Sequence, residues 1–346
     1  MAVDMDKMIM KTTKVSQPLD TTSNNAELPA WLSKAIAQEQ ATQDIEAFLR
    51  AQPEIHDLSD LTPLKVSRFA CVFSVRVNGE NVVVKQFFKA TADQTVRKLK
   101  SELDYIEALF GDGDCQANTC RMAWPSEGIV MLSFAPGPRL GDVLSGLEGN
   151  ERRDLLNHSG RWLARYTAPR RHEGSFSPNF WIKRLRKKNL DAITDPADLT
   201  LLKQLIHAME AQAQTIKGCP ILHAATHNDF VGINAHYKDG IIYGVDIQGE
   251  TWHPTAKDAA RFLVWLQIHN RTQPQNRRSG ICQNDWDAFL SSNVISASEQ
   301  ETTMPFLIGD QLYRRYISEY ARPRKRKNTT AAITAYLDER LPQRSS

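Results

Sequence analysis

Asp229, Asn234 and Asp246 are the residues whose types and spacing could do chemistry together. The first two lie in His227-Asn228-Asp229-Phe230-Val231-Gly232-Ile233-Asn234, and the third closes Ile241-Ile242-Tyr243-Gly244-Val245-Asp246. Between them Asp239-Gly240 signals a two-residue hairpin, because both residue types tolerate positive φ. Such a loop pairs Lys238 with Ile241 and, counting outward, Asn234 with Val245. Asp246 therefore falls beside Asn234. An amide oxygen and a carboxylate converging at the mouth of a hairpin suit Mg²⁺, which prefers oxygen ligands and keeps substrate phosphates in its shell. Asp229, at the start of the same loop, is placed to accept a proton from a hydroxyl.

The remaining elements must position this set. Two β-branched and aromatic runs, 71–77 and 82–88, flank Asn78-Gly79 and predict an antiparallel hairpin. Its phase sets Val77 against Glu80 and Val72 against Lys85, which puts Lys85 beneath the turn at 67–71. A helical period follows through Val96, Leu99, Leu103, Ile106 and Phe110, and Glu102 sits beside that buried stripe, where a carboxylate needs a partner. Residues 129–132 read as a strand ending near Pro136-Gly137-Pro138, and helical patterns dominate beyond. Upstream, the spacing of Trp31, Leu32, Ile36, Ile45, Phe48 and Leu49 predicts lead-in helices.

These residues carry a resemblance. The pattern H-x-D-x-x-x-x-N followed by a hairpin ending in Val-Asp resembles the catalytic loop and metal-binding strand of the protein-kinase-like fold, in the version of the aminoglycoside phosphotransferase and choline kinase family. The resemblance implies an α+β bilobed fold with a small antiparallel N-lobe and a larger helical C-lobe, and ATP with Mg²⁺ as cofactors. By it Asp229 is the catalytic base and Asn234 and Asp246 are metal ligands. Lys85 grips the α- and β-phosphates, Glu102 pairs with Lys85, and residues 130–135 form the hinge, where the backbone of Ser133 and Ala135 meets adenine. Asp258, in Pro254-Thr-Ala-Lys-Asp258-Ala-Ala-Arg-Phe262, is implied as a structural support of the loop. The chain departs from the pattern at Asn228, where glycine is usual, in the Ile-Gln-Gly that follows Asp246, and between Leu64 and Gly79, where no glycine occurs.

The domain boundaries expected are a disordered tail at 1–27, a helical lead-in at 28–62, a nucleotide-binding N-lobe with hinge at 63–135 and a helical C-lobe at 136–346. Of 346 residues, 41% are hydrophobic and 24% charged, which supports a globular core. No apolar run is long enough to span a membrane, and the charged amino terminus fits no secretory signal, so a cytoplasmic location is expected. Five cysteines without a CxxC pair argue against a disulfide framework or zinc site. Residues 150–190 hold eleven Lys and Arg against three acids. A polycationic acceptor calls for carboxylates instead, so an anionic acceptor, or peripheral contact with an anionic surface, is expected there. No nucleic-acid partner is expected at a net charge of +3. The activity implied is transfer of the ATP γ-phosphoryl group to a hydroxyl of a small molecule or sugar. The alternatives are a lipopolysaccharide core sugar kinase and a pseudokinase binding module.

Overall fold

The structure is a computed structural model and describes residues 30–67, 69–247, 249–269 and 274–340. The tail expected at 1–27 lies outside them. A first helix, α1 (Ala30–Arg50), leads into a five-stranded antiparallel sheet of order β1-β2-β3-β6-β5, built from β1 (Leu58–Val66), β2 (Ala70–Val77), β3 (Glu80–Phe87), β5 (Cys120–Trp124) and β6 (Ile129–Ser133). Helix α2 (Ala92–Phe110) and the short β4 (Cys115–Ala117) interrupt that run.

The sheet begins earlier than the sequence predicts. Residues 58–62, assigned to the helical lead-in, belong to β1. Its pairing with β2 is irregular on both sides of Thr62-Pro63, and Asp60 has φ 54°. Proline and bulges at an edge strand break the two-residue alternation that betrays a strand.

Each face of the sheet serves a different core, because side chains alternate along a strand. Ile129 and Met131 join Val82, Val84, Phe73 and Val75 beneath α1, whose Ile45 and Leu49 are buried there. Val130 and Leu132 instead join Val96, Leu99 and Leu103 of α2 and the large helical core. Lys85 lies on this second face, one residue out of phase with Val84.

The second lobe is helical. It contains α3 (Leu140–Gly146), α4 (Gly149–Thr167), α5 (Pro178–Arg186), α6 (Pro196–Ile216), α7 (Thr255–His269), α8 (Gln283–Leu290), α9 (Ala297–Glu301), α10 (Thr303–Glu319) and α11 (Pro323–Asp338). Two small three-stranded sheets are set among them. One, β11-β8-β7, uses β7 (Arg171–Ser175), β8 (Pro220–Ala225) and β11 (Trp252–Pro254). The other, β4-β10-β9, joins β4 in parallel to the hairpin of β9 (Ala235–Lys238) and β10 (Ile241–Gly244). None of the described helices is long and apolar enough to cross a membrane.

Candidate active site

The β9–β10 hairpin pairs Lys238 with Ile241 and Ala235 with Gly244 around Asp239 and Gly240, whose φ values are 51° and 80°. One step outward the Val245 N–H donates to the Asn234 carbonyl at 2.9 Å. That bond makes Asn234 and Asp246 neighbours. Gly244 lies flat against the Trp162 ring, and a Cβ there would collide with it. Asp246 itself is in the left-handed region at φ 60°, a conformation that costs a non-glycine residue about 1 kcal/mol or more and persists where its surroundings hold it.

The polar side chains of the loop before the hairpin are fastened from several sides. Asn234 Nδ2 donates to the Asp229 carbonyl at 2.9 Å and to Asp229 Oδ2 at 3.1 Å. The His227 ring Nε2 meets the Val245 carbonyl at 3.0 Å. Asn228 occupies the left-handed region at φ 64°, which explains why this position favours glycine and how asparagine replaces it. Its N–H donates to Asp258 Oδ2 at 2.9 Å, and Lys257 Nζ donates to its side-chain oxygen at 2.6 Å. Arg261 Nη1 bonds Asp229 Oδ1 at 2.7 Å and also reaches the Asn228 carbonyl. Asp258 is fully buried, and desolvation pushes its carboxyl above the ordinary range. Lys257 and Arg261 were not singled out from the sequence. The signal was present, since Arg261 lies one helical turn beyond Asp258 on α7 and so shares its face.

On the N-lobe side the hairpin register sets Val72 against Lys85, and Lys85 in turn pairs with Val130. The Lys85 ammonium reaches across the cleft to Asp246 Oδ1 at 2.6 Å. A cavity of about 400 Å³ opens beside this contact, lined by Lys65, Ser67, Phe69, Lys85, Lys89 and Asp246 among others. Three lysines around one small space suit a polyphosphate. The glycine-free turn above it is closed by Ser67, whose N–H and hydroxyl both donate to the Ala70 carbonyl, at 3.1 and 2.9 Å. The hydroxyl oxygen also accepts from the Ala70 N–H at 3.2 Å. A larger cavity, about 600 Å³, lies between α4 and α8 beside Arg152 and Asp285, which are bonded to each other.

The donor set fits a magnesium ion. The nitrogen of the Asn234 amide is committed to Asp229, which leaves its oxygen as the ligand atom, and the Asp246 carboxylate stands beside it with a cation, the Lys85 ammonium, already against one oxygen.

Glu102 does not pair with Lys85. Its Oε1 accepts from Arg170 Nη2 at 2.6 Å and from the Tyr166 hydroxyl at 2.9 Å, and its Oε2 accepts from Arg170 Nη1 at 2.8 Å. The expected pairing is corrected because Arg170 offers a bidentate fork inside the core, a better match for a buried carboxylate than a lysine that has Asp246 within reach. Ser133 ends β6, and its N–H donates to the Thr119 carbonyl at 2.9 Å while its hydroxyl accepts the Thr119 N–H at 2.8 Å. Ala135, two residues on, is buried.

Much of the basic segment 150–190 is spent internally. Arg152 pairs with buried Asp285, Arg161 with Asp114, Arg170 with Glu102 and Arg186 with Glu210. Arg165 and Arg171 donate to the carbonyls of Phe110 and Ala164. Lys183, Arg184, Arg186, Lys187 and Lys188 stay exposed near α5.

A column of rings runs beneath the site. Tyr166 stacks on Trp162 at 5.4 Å between centroids, Trp162 on Phe230 at 5.1 Å, Phe230 on Phe262 at 5.0 Å and Phe262 on Phe289 at 4.9 Å. It connects the residue that holds Glu102 to the residue that follows Asp229.

No protein-family model and no curated protein matches the chain by sequence. Solved structures do. Aminoglycoside phosphotransferase APH(4)-Ia is similar with a TM-score of 0.55 at 14% identity, over 86% of this chain and 98% of that one. A glucosamine kinase gives 0.58 at 16% identity over 87% of each chain. Amicoumacin kinase hAmiN, in complex with AMP-PNP, Ca²⁺ and Ami, gives 0.52 at 14% identity over 90% of this chain and 96% of that one. The chain thus has the bilobed α+β protein-kinase-like fold of these enzymes.

Proposed function

We propose that the protein transfers the γ-phosphoryl group of ATP to a hydroxyl of a small molecule or sugar. The observation that carries this reading is the chain of contacts from Asp229 to Asn234, to its hairpin neighbour Asp246 and on to Lys85, the last two of which line a cavity with further lysines. Two further expectations belong to the same reading: the backbone of Ser133 and Ala135 meets adenine, and the reaction takes place in the cytoplasm, where ATP is supplied.

Lys65, Lys85 and Lys89 hold the phosphate chain by charge. Asn234 and Asp246 would hold Mg²⁺, which would supply positive charge to offset that of the phosphates. Asp229 takes the acceptor hydroxyl. Its Oδ1 is fixed by Arg261 and its Oδ2 by Asn234, yet each carboxylate oxygen retains lone-pair capacity for another donor. The acceptor oxygen forms a bond to Pγ as the bond from Pγ to the β,γ-bridging oxygen breaks. ADP leaves with that electron pair, and the hydroxyl proton passes to Asp229. Lys257, Asp258 and Arg261 act on this step by holding Asn228 and Asp229, so orientation is built before substrate arrives.

The test is ATP with Mg²⁺ at millimolar concentration in a thermal melt, followed by ATP consumption over a panel of alcohols and amino sugars. Binding raises the melting temperature by mass action. An unchanged melt sinks the nucleotide site; tight ATP binding with no acceptor ever phosphorylated favours a pseudokinase instead.

A further inference from the structure

An acceptor whose hydroxyl reaches Asp229 must rest the remainder of its surface on the groups around Asp229. Those groups are mostly cationic. Arg261 touches the carboxylate, and its Nε also reaches Gln311 Oε1 on α10 at 3.3 Å, one helical turn before Arg315, whose charge acts on both Arg261 and Asp229. Among the described residues the ion pair Arg315 makes is a long one, 3.9 Å to Glu319, and Glu319 already takes Arg322 at 2.6 Å and Lys325 at 3.5 Å. Burial and the repulsion of Arg261 push the Arg315 guanidinium below its ordinary range.

The neighbours tell the same story. Lys257 is pushed down to about 8 by burial, with Arg261 and Arg314 repelling it and only partial relief from Asp258 and Asp310. His253 is pushed down to about 4 by burial, then by Lys257, Arg184 and other cations. On α10 Asp310 offsets part of this charge but is itself held by Arg314 through two bonds of 2.7 and 2.8 Å. Positive charge around the acceptor side of Asp229 is therefore under-compensated by the protein itself. A guanidinium fork with spare donors is the group that recognises carboxylate and phosphate oxygens. Arg261 and Arg315 each keep about a fifth of their side-chain surface open.

We infer that the acceptor carries an anionic group, a carboxylate or a phosphate ester, that seats against Arg315 and Arg261 while its hydroxyl addresses Asp229. The inference rests on the phosphotransferase reading and names its substrate class. It also moves the basis for an anionic acceptor away from residues 150–190, whose arginines are largely engaged in holding the fold, to α7 and α10.

The test uses the full chain saturated with Mg²⁺ and AMP-PNP, so that the nucleotide site is filled. Inorganic phosphate and acetate are titrated at constant ionic strength, followed by glucose, glucosamine, glucuronate and glucose 6-phosphate. Anion binding should be measurable and at least tenfold weaker in Arg315→Gln, and unaltered in Lys187→Gln, which removes an exposed cation elsewhere. Glucuronate or glucose 6-phosphate should bind at least tenfold more tightly than glucosamine, and the preferred anion tells carboxylate from phosphate. Binding of glucosamine equal to or tighter than that of the anions overturns the inference, as does anion binding that is absent or indifferent to Arg315→Gln. Nucleotide affinity is measured on the same samples: its absence sinks the phosphotransferase reading, whereas its presence with a cationic preference sinks only the anionic acceptor.

Discussion

Arg170 grips the carboxylate of Glu102 through two hydrogen bonds of 2.6 and 2.8 Å, tying helix α2 to the segment after α4. Both groups are largely withdrawn from water, with side chains 18% and 4% exposed. Removing one partner strands the other charge. Glu102→Gln and Arg170→Ala should each cost about 3 kcal/mol or more of stability, read from urea unfolding midpoints. The Lys85→Ala, Glu102→Gln cycle on Mg·ATP affinity should be additive within about 0.5 kcal/mol, because the two residues share no contact. Strong coupling between them would restore the pairing that the sequence predicted.

The contact of Lys85 with Asp246 makes a separate prediction. The ammonium is largely buried against the sheet while the carboxylate is open to the cleft. Lys85→Met should lower Mg·ATP affinity roughly tenfold or more through lost phosphate attraction, with little change in melting temperature of the ligand-free protein, since a pair with one partner this exposed contributes about 1 kcal/mol at most. Titration calorimetry with a melt on the same sample checks both halves. Unaltered nucleotide binding would leave Lys85 a lysine of the cleft wall only.

Asp229 is fixed by Arg261 and Asn234 but belongs to neither the phosphate cavity nor the metal pair. Asp229→Asn should therefore leave Mg·ATP affinity nearly intact while kcat falls roughly 10²-fold or more. Asp246→Asn should damage both. Arg261→Gln should fall between, lowering kcat by loosening the carboxylate without abolishing nucleotide binding. The comparison needs single-turnover kinetics and equilibrium binding on all three variants, and full turnover by Asp229→Asn would remove Asp229 from the chemistry.

His253 makes the fold sensitive to acid. Burial and the cations Lys257, Arg184 and Arg261, together with His223, hold its folded pKa at about 4 against an ordinary 6.5. Between those values the unfolded chain binds a proton that the folded chain refuses, so stability falls as pH drops from 6.5 toward 4. After discounting for its partial exposure, the effect at pH 5 should be on the order of 1 kcal/mol. Urea midpoints at pH 7 and pH 5 should drop less for His253→Gln than for the parent. His158, His223 and His269 are also pushed down by burial, so some slope persists in the variant, and equal slopes in both proteins would contradict the assignment.

Local chemistry made the two hairpins legible. Asn78-Gly79 and Asp239-Gly240 set registers that run outward to Val72 with Lys85 and to Asn234 beside Asp246. Asp258 was legible as a loop support only through resemblance. The partner of Glu102 was not, because Arg170 is 68 residues away and nothing in either local pattern distinguishes a core guanidinium from a solvated one. For the same reason a run of arginines read as a surface, although Arg152, Arg165 and Arg170 face inward. Strand β1 escaped notice because Pro63 and the register shifts around it erase the alternation.

The rings from Tyr166 to Phe289 act as a spacer of fixed thickness. Close-packed aromatic faces yield little to compression, so the height of the Phe230 backbone is set by the rings packed on either side of it, Trp162 toward α2 and Phe262 toward α8. A substitution such as Phe262→Leu thins one layer without touching substrate, nucleotide or metal. The resulting settlement would be felt one residue from Asp229, as a carboxylate displaced relative to its acceptor. In this molecule the alignment of the reacting groups is a matter of stacking height, and residues buried well below the cleft carry part of the tolerance on which turnover depends.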